Sequence, residues 1–322
     1  RMKGGLPQIV AALVMAAAAG VSPAICQRKE DGSRSSMSQP GVVKVENCGL
    51  LFTDNPAGVS GVDCGYSLPI GKQVLWFFGD IFLLHPTDPT GRYVGGISNA
   101  ALLVPSGGRA ALGKYRFLTD PATGLARQVI PNAPDEGPEI RLWAFGGRYE
   151  AAHRRAYVYY SRVRTTGAGG PFAFVVEGFG LATASVDRPE ELRFERLRGP
   201  SGDELWWKPP APLYGAAVIG GTPPDDPYVY VVGVQERSGE KTGRLARVRK
   251  DRMADFDAYE YFSGSRAKVA WSRNAGEAAE VEGLRDFPSE LSVAYNRYLG
   301  GYLAVHSVGI SERVRLSLAP EP

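Results

Sequence analysis

Histidine and cysteine are scarce in this sequence, at three residues each among 322. His85, His153 and His306 are scattered, and no Cys-x-x-Cys pair exists. Nothing in that pattern recommends a zinc site or a Ser-His-Asp triad, so neither a metal nor a cofactor is expected. An excess of one charge is lacking too. The 37 basic and 34 acidic residues leave a net charge of +3, which is not the strongly basic footprint of a nucleic-acid binder. The Arg-Leu-Ala-Arg-Val-Arg-Lys run at 244–250 alternates charge with apolar residues, as the solvated face of a strand does. Phosphate-cradling loops are missing as well. The Gly-Ala-Gly-Gly run at 167–170 has no following Lys-Ser/Thr, and Gly178-x-Gly180 opens no helix; both read as turns. Helix signals are nearly absent, with 277–282 the best local candidate and a loop the alternative.

What the sequence does have is 40 glycines, 24 prolines and 44% apolar residues, the composition of a globular chain with many turns. Its first 24 residues read as an export signal: Met2, the positive Lys3, an Ala-rich apolar stretch from Ile9 to Val21, and small residues before a cleavage point after Ala24. Gly20 and Pro23 interrupt that stretch, which is short for a membrane span of about 20 residues. Residues 25–41 read as a disordered polar tether. Cys26 raises a lipid anchor, against which Ile25 argues. Cys48 and Cys64 either pair in an oxidising compartment or stay as two buried thiols. Together these features point to a secreted, cell-surface or periplasmic protein whose folded part is 42–322.

The main signal is a repeat. Four aromatic or β-branched runs, at 74–78, 156–160, 228–232 and 302–305, read as strands and start roughly 70 to 80 residues apart. Before each lies a small, apolar run, at 65–68, 140–144, 214–219 and 291–295. After each comes a third, at 99–103, 180–184, 244–248 and 314–318, and in three cases a more polar fourth, at 114–117, 192–196 and 259–262. Inner, second, third and outer strand is the order of a propeller blade. Small residues suit the crowded inner strand, and charge suits the exposed outer edge. The fold class expected is therefore all-β, a β-propeller with four recognisable blades and the last incomplete. Either 42–52 supplies the missing strand, or a further blade is lacking.

Inner strands converge on the axis, so carboxylates at their starts face one another across it. Asp63, Glu139 and Glu290 stand at or just before the starts of three inner strands. Paired carboxyls are what glycosidic cleavage requires, one protonating the leaving oxygen and the other attacking or activating water. Asp80 follows Gly79 at the end of the second strand, where a turn-forming role is the alternative. A hairpin brings the start of its first strand near the end of its second, so Asp63 and Asp80 are expected side by side at the mouth, with one pKa raised by the other charge. On this reading Asp63 is base or nucleophile, Asp80 orients or tunes, and Glu290 donates the proton. Asn99 and Glu139 are candidate sugar contacts. Trp206 and Trp207 present aromatic faces either for a sugar ring or for packing. Trp76, Phe77 and Tyr159 read as core.

The Trp-Phe-Phe-Gly-Asp-Ile-Phe run at 76–82 resembles the Trp-x-Phe-Gly-Asp-Thr-Phe signature of domain-of-unknown-function family 4185. Asp63, Asn99, 178–182 (Gly-Phe-Gly-Leu-Ala) and 290–296 (Glu-Leu-Ser-Val-Ala-Tyr-Asn) fall in that family's order. Ile81 departs from the usual Thr. The resemblance implies a five-bladed propeller of glycoside-hydrolase type and, as in some members, an endo-acting D-arabinanase activity on a furanose polymer. Polysaccharide or oligosaccharide is then the expected partner. A non-catalytic carbohydrate-binding propeller and a protein-binding surface scaffold are the alternative functions.

Overall fold

The aromatic and β-branched runs all form strands, and in the second, third and fourth units the strands pair in the order in which they occur. The computed structural model describes residues 51–322 apart from 53–54, 86–87, 89, 108, 170–171, 221–225, 288–289, 310 and 312, and apart from the side chains of 109–110. The export signal, tether, Cys26 and Cys48 readings lie outside the described residues.

The first unit contains β1 (Val59–Val62), β2 (Tyr66–Ile70), β3 (Gln73–Phe78), β4 (Ile81–Leu84), β5 (Tyr93–Ile97), β6 (Ala100–Pro105) and β7 (Arg116–Phe117). Of these, β2-β3-β6-β7 form a four-stranded antiparallel sheet. The second unit is the sheet of β8 (Ile140–Glu150), β9 (Arg155–Thr165), β10 (Phe174–Ser185) and β11 (Glu195–Arg196). The third runs through β12 (Leu213–Val218), β13 (Tyr228–Arg237), β14 (Glu240–Arg249), β15 (Glu260–Phe262) and β16 (Trp271–Ser272). The fourth has β17 (Ser292–Asn296), β18 (Gly301–Ser307) and β19 (Val314–Ala319). The described residues contain no α-helix. The candidate at 277–282 is the end of one 3-10 turn, Ala275–Glu277, followed by loop. No helix among the described residues is long and apolar enough to cross a membrane.

The arrangement is β-propeller-like. Inner strand β2 lies against β8, β8 against β12, and β12 against β17. The core is divided into layers between neighbouring units. Leu68 and Phe77 pack with Leu142 and Tyr160 between the first two units. Phe145, Tyr159 and Trp207 pack with Tyr214 and Tyr261 between the second and third. Ala216 and Val232 meet Leu291 and Tyr302 between the third and fourth. The demand for small inner residues is concrete at Gly215. Its φ of +132° suits glycine, and a Cβ there would sit 2.7 Å from Tyr159 and 2.9 Å from Phe179.

One part of the architecture has no counterpart in the repeat. Strands β1, β4 and β5 form their own sheet, which prolongs the first unit beyond the ends of β2, β3 and β6. The chain crosses from one sheet to the other at three breaks: Asp63 to Gly65, Gly79–Asp80 and Ser98–Asn99. Asp63, Gly79, Asp80 and Asn99 sit in those breaks.

Candidate active site

In each antiparallel unit the start of the first strand, the end of the second and the start of the third share one end. At that end of the first unit the backbone ladder passes through the break: Asp63 N donates to Asp80 O at 2.9 Å, and Gly79 N donates to Asp63 O at 2.8 Å. Asp63 and Asp80 are therefore cross-strand neighbours at one end of the first unit. Cys64, which follows, is held at φ +59°, a left-handed conformation that non-glycine residues adopt mainly in turns and at strained sites. The Asp63 carboxylate is exposed and accepts from Cys64 N at 2.8 Å.

A change of phase aims Asp80. Trp76, Phe78, Ile81 and Leu83 all pack on one apolar cluster. In an unbroken strand Phe78 and Ile81 would face opposite sides. Gly79 and Asp80 absorb the extra step, so Asp80 turns to the other side, toward β8. There Arg141 donates to Asp80 Oδ1 from Nε at 3.0 Å and from Nη2 at 2.6 Å. Such charge-assisted contacts fix a carboxylate's orientation.

Glu290, just before β17, comes in from the fourth unit. The Cys64 thiol lies 4.0 Å from its Oε1. Burial pushes the Glu290 carboxyl above its ordinary range, and the charge of Asp63 adds to that, while Lys241 acts in the opposite sense. Asp80 is matched by Arg141, and Glu290 is a carboxyl whose proton is held more tightly than usual. The Cys64 thiol is also pushed up, first by burial and then by Glu290. Beneath it the buried Tyr66 hydroxyl has no hydrogen-bond partner and is raised by burial, then by Cys64 and Glu290.

Beside Glu290 opens a cavity of about 700 Å³. One wall is aromatic. Trp143 stands edge-on to Phe174 at 4.9 Å between ring centroids, and Phe172, 67% exposed, is at the rim. The other wall is the tip of the β13–β14 hairpin with Lys241, and Pro209 and Pro210 complete the lining. Trp143 also lies over Gly79, where an added Cβ would be 3.7 Å from the indole. The aromatic wall therefore reaches from the cavity beside Glu290 to the break that holds Asp63 and Asp80.

The other sequence candidates go elsewhere. Asn99 is fully buried. Its Nδ2 donates to Ile130 O and Leu142 O, and its Oδ1 accepts from Val129 N and Ile130 N, all at 2.9 Å. Its amide has nothing left for a sugar hydroxyl and instead ties the first unit to β8. Trp206 and Trp207 are also buried, with Nε1 groups donating to Leu197 O and Tyr261 Oη. They fill the layer between the second and third units, so stacking on a bound sugar is closed to them. Glu139 pairs with Arg164 at 3.1 Å and lines a separate cavity of about 520 Å³. Charged residues lining that cavity are engaged in ion pairs: Arg162 and Arg164 pair with Glu177, and Arg196 pairs with Glu136. Sequence reading missed Arg141, Trp143, Phe172, Phe174 and Lys241. Arg141 left one trace, a charge inside an otherwise apolar inner strand.

The profile of a domain of unknown function, DUF4185, matches residues 51–322. The chain belongs to the DUF4185 family. No curated protein sequence matches this DUF4185 chain. Among solved structures, it is similar to an endo-arabinase from Bacteroides thetaiotaomicron VPI-5482 at 9% identity and a TM-score of 0.44, covering 81% of this chain and 75% of that one. A GH43 β-1,3-galactosidase with galactodeoxynojirimycin is similar at 12% identity and a TM-score of 0.42, covering 80% and 72%. The GH32 β-fructofuranosidase of Bombyx mori is similar at 14% and 0.38, covering 79% of this chain and 46% of that one.

The raised Glu290 pKa has a testable sign. A carboxyl that binds its proton more tightly when folded contributes stability below its unfolded pKa of about 4.3 and loses it as pH rises through the folded value. Glu290→Gln removes that loss. Thermal midpoints of parent and variant, measured from pH 4 upward, are expected to diverge in the variant's favour; parallel curves would show that Glu290 does not titrate in this way.

Proposed function

We propose that this protein is an extracellular glycoside hydrolase, with a furanose polymer of the D-arabinan type as its substrate. What supports the reading is that Glu290, which lines the aromatic-walled cavity, lies against Cys64, the residue after Asp63, whose cross-strand neighbour is Asp80. Glu290, partly buried and with its carboxyl pushed above the ordinary range by that burial, donates a proton to the leaving oxygen as the glycosidic C–O bond breaks. Asp63, exposed just ahead of the first inner strand, attacks the sugar or takes a proton from the attacking water. Asp80 positions the sugar or its neighbour through Arg141. The architecture that supports this arrangement is a propeller of glycoside-hydrolase type with four blades recognisable, the last incomplete. Residues 1–24 act as the export signal and 25–41 as the tether.

A second reading is favoured by the cavity itself. Its aromatic wall serves a binding module as well as an enzyme. Incubation of the protein with a panel of cell-wall glycans, followed by chromatography of the products, separates the two. Shortening of a furanose polymer is expected. Binding without shortening would favour the carbohydrate-binding module, and no binding to any glycan would favour a protein-binding scaffold.

A further inference from the structure

The β1–β4–β5 sheet carries an aromatic that packing does not explain. The phase shift at Gly79–Asp80 sends Ile81 and Leu83 into the core and turns Asp80 and Phe82 together to the opposite face. Phe82 is 44% exposed. In a paired strand its ring would be covered by cross-strand side chains on either flank. Here both flanking partners are glycines, Gly61 on β1 and Gly96 on β5. A Cβ on Gly61 would stand 3.4 Å from the ring; one on Gly96 would stand 3.3 Å from Tyr93 Oη and 3.9 Å from Arg141 Nη2. Glycine inside a strand often marks a place where something else approaches closely. The same surface therefore joins a bare aromatic face, the tyrosine hydroxyl of an exposed Tyr93, and the guanidinium that holds Asp80. An exposed ring gains little from the apolar burial that stabilises a fold. It does suit a sugar, whose C–H face stacks on an aromatic while its hydroxyl rim takes hydrogen bonds.

We propose that Phe82, with Tyr93 and Arg141 beside it, is a stacking platform for the sugar residue adjoining the one held at Asp63 and Asp80. The proposal rests on the glycan reading above and assigns the added sheet a role in it. The site then runs from Phe82 on the first unit, past the carboxylates, to Trp143, Phe174 and Phe172 on the second, which accommodates a chain rather than a single sugar.

The test uses the full chain with Asp63→Asn, so that binding is read without turnover. Affinities for a short and a long D-arabinofuranose oligosaccharide are measured by calorimetry. Adding Phe82→Ala is expected to weaken the long ligand by about three- to tenfold, the value of one aromatic contact, and to leave the short one unchanged. Phe82→Trp should restore the affinity, whereas Phe82→Leu, which keeps apolar bulk without a flat face, should not. Melting temperatures should stay near the parent's, since Phe82 is half exposed. Unchanged affinity for the long ligand in Phe82→Ala, while the parent shortens the polymer, would overturn the platform and leave the hydrolase reading standing. Equal loss with Trp and Leu, together with lowered melting temperatures, would reassign Phe82 to packing. If neither oligosaccharide binds and the parent shortens no furanose polymer, the hydrolase reading fails and the platform's ligand fails with it.

Discussion

Asp63→Asn is expected to abolish cleavage of the polymer that the parent shortens, by about 10³-fold or more, while the protein remains folded. The separation of the two effects follows from where Asp63 sits. Its backbone carries the ladder between the two sheets of the first unit, through bonds to Asp80 and Gly79 that a side-chain change leaves alone. Its side chain is exposed and makes a bond to Cys64 N, which an asparagine oxygen can accept equally. The substitution removes the negative charge and the basic oxygen, and little else. Removing that charge also takes away one of the influences that raise the Glu290 carboxyl. Reducing ends released per minute, beside a melting curve, decide the matter. Full activity in the Asp63→Asn variant would show that the base or nucleophile is elsewhere.

Trp207→Ala is expected to act in the opposite way, lowering stability by about 3–5 kcal/mol and the melting temperature by about 10 °C, with glycan affinity per folded molecule unchanged. Trp207 is 2% exposed. Its ring lies 5.3 Å from Tyr259 and 5.5 Å from Tyr214, and its Nε1 donates to Tyr261 Oη at 2.9 Å. Alanine would leave a cavity in this aromatic layer and an unpaired tyrosine hydroxyl. The backbone of Trp207 also accepts from Phe179 N, so the damage would reach β10. Loss of glycan affinity with no fall in melting temperature would return Trp207 to the binding surface.

Asn99 and Trp207 mark the limit of reading this site from residue types. An amide at a strand start and an aromatic before a Pro-Pro pair are equally apt for a sugar and for the interior. The choice is made by neighbours far along the chain. Asn99 meets Val129, Ile130 and Leu142, and Trp207 meets Tyr214 and Tyr259. Arg141 and Lys241 are the converse. Each looks like an ordinary strand charge until folding brings one to Asp80 and the other to face Glu290.

The sequence by itself determined the strand order. The segments of each unit, four in the first three and three in the last, recur as the strands β2-β3-β6-β7, β8 to β11, β12 to β15 and β17 to β19, because strand preference, side-chain alternation and sequential hairpin pairing are local properties. It also placed Asp63 beside Asp80, since a hairpin leaves no other geometry. Only the tertiary structure decided the rest: the phase shift that sends Asp80 and Phe82 to one face, the burial that lifts the Glu290 carboxyl, and the assignment of each aromatic to core or cleft. Those outcomes depend on which surfaces of separate units meet, and desolvation and packing are set by neighbours distant in the chain rather than by the residue itself.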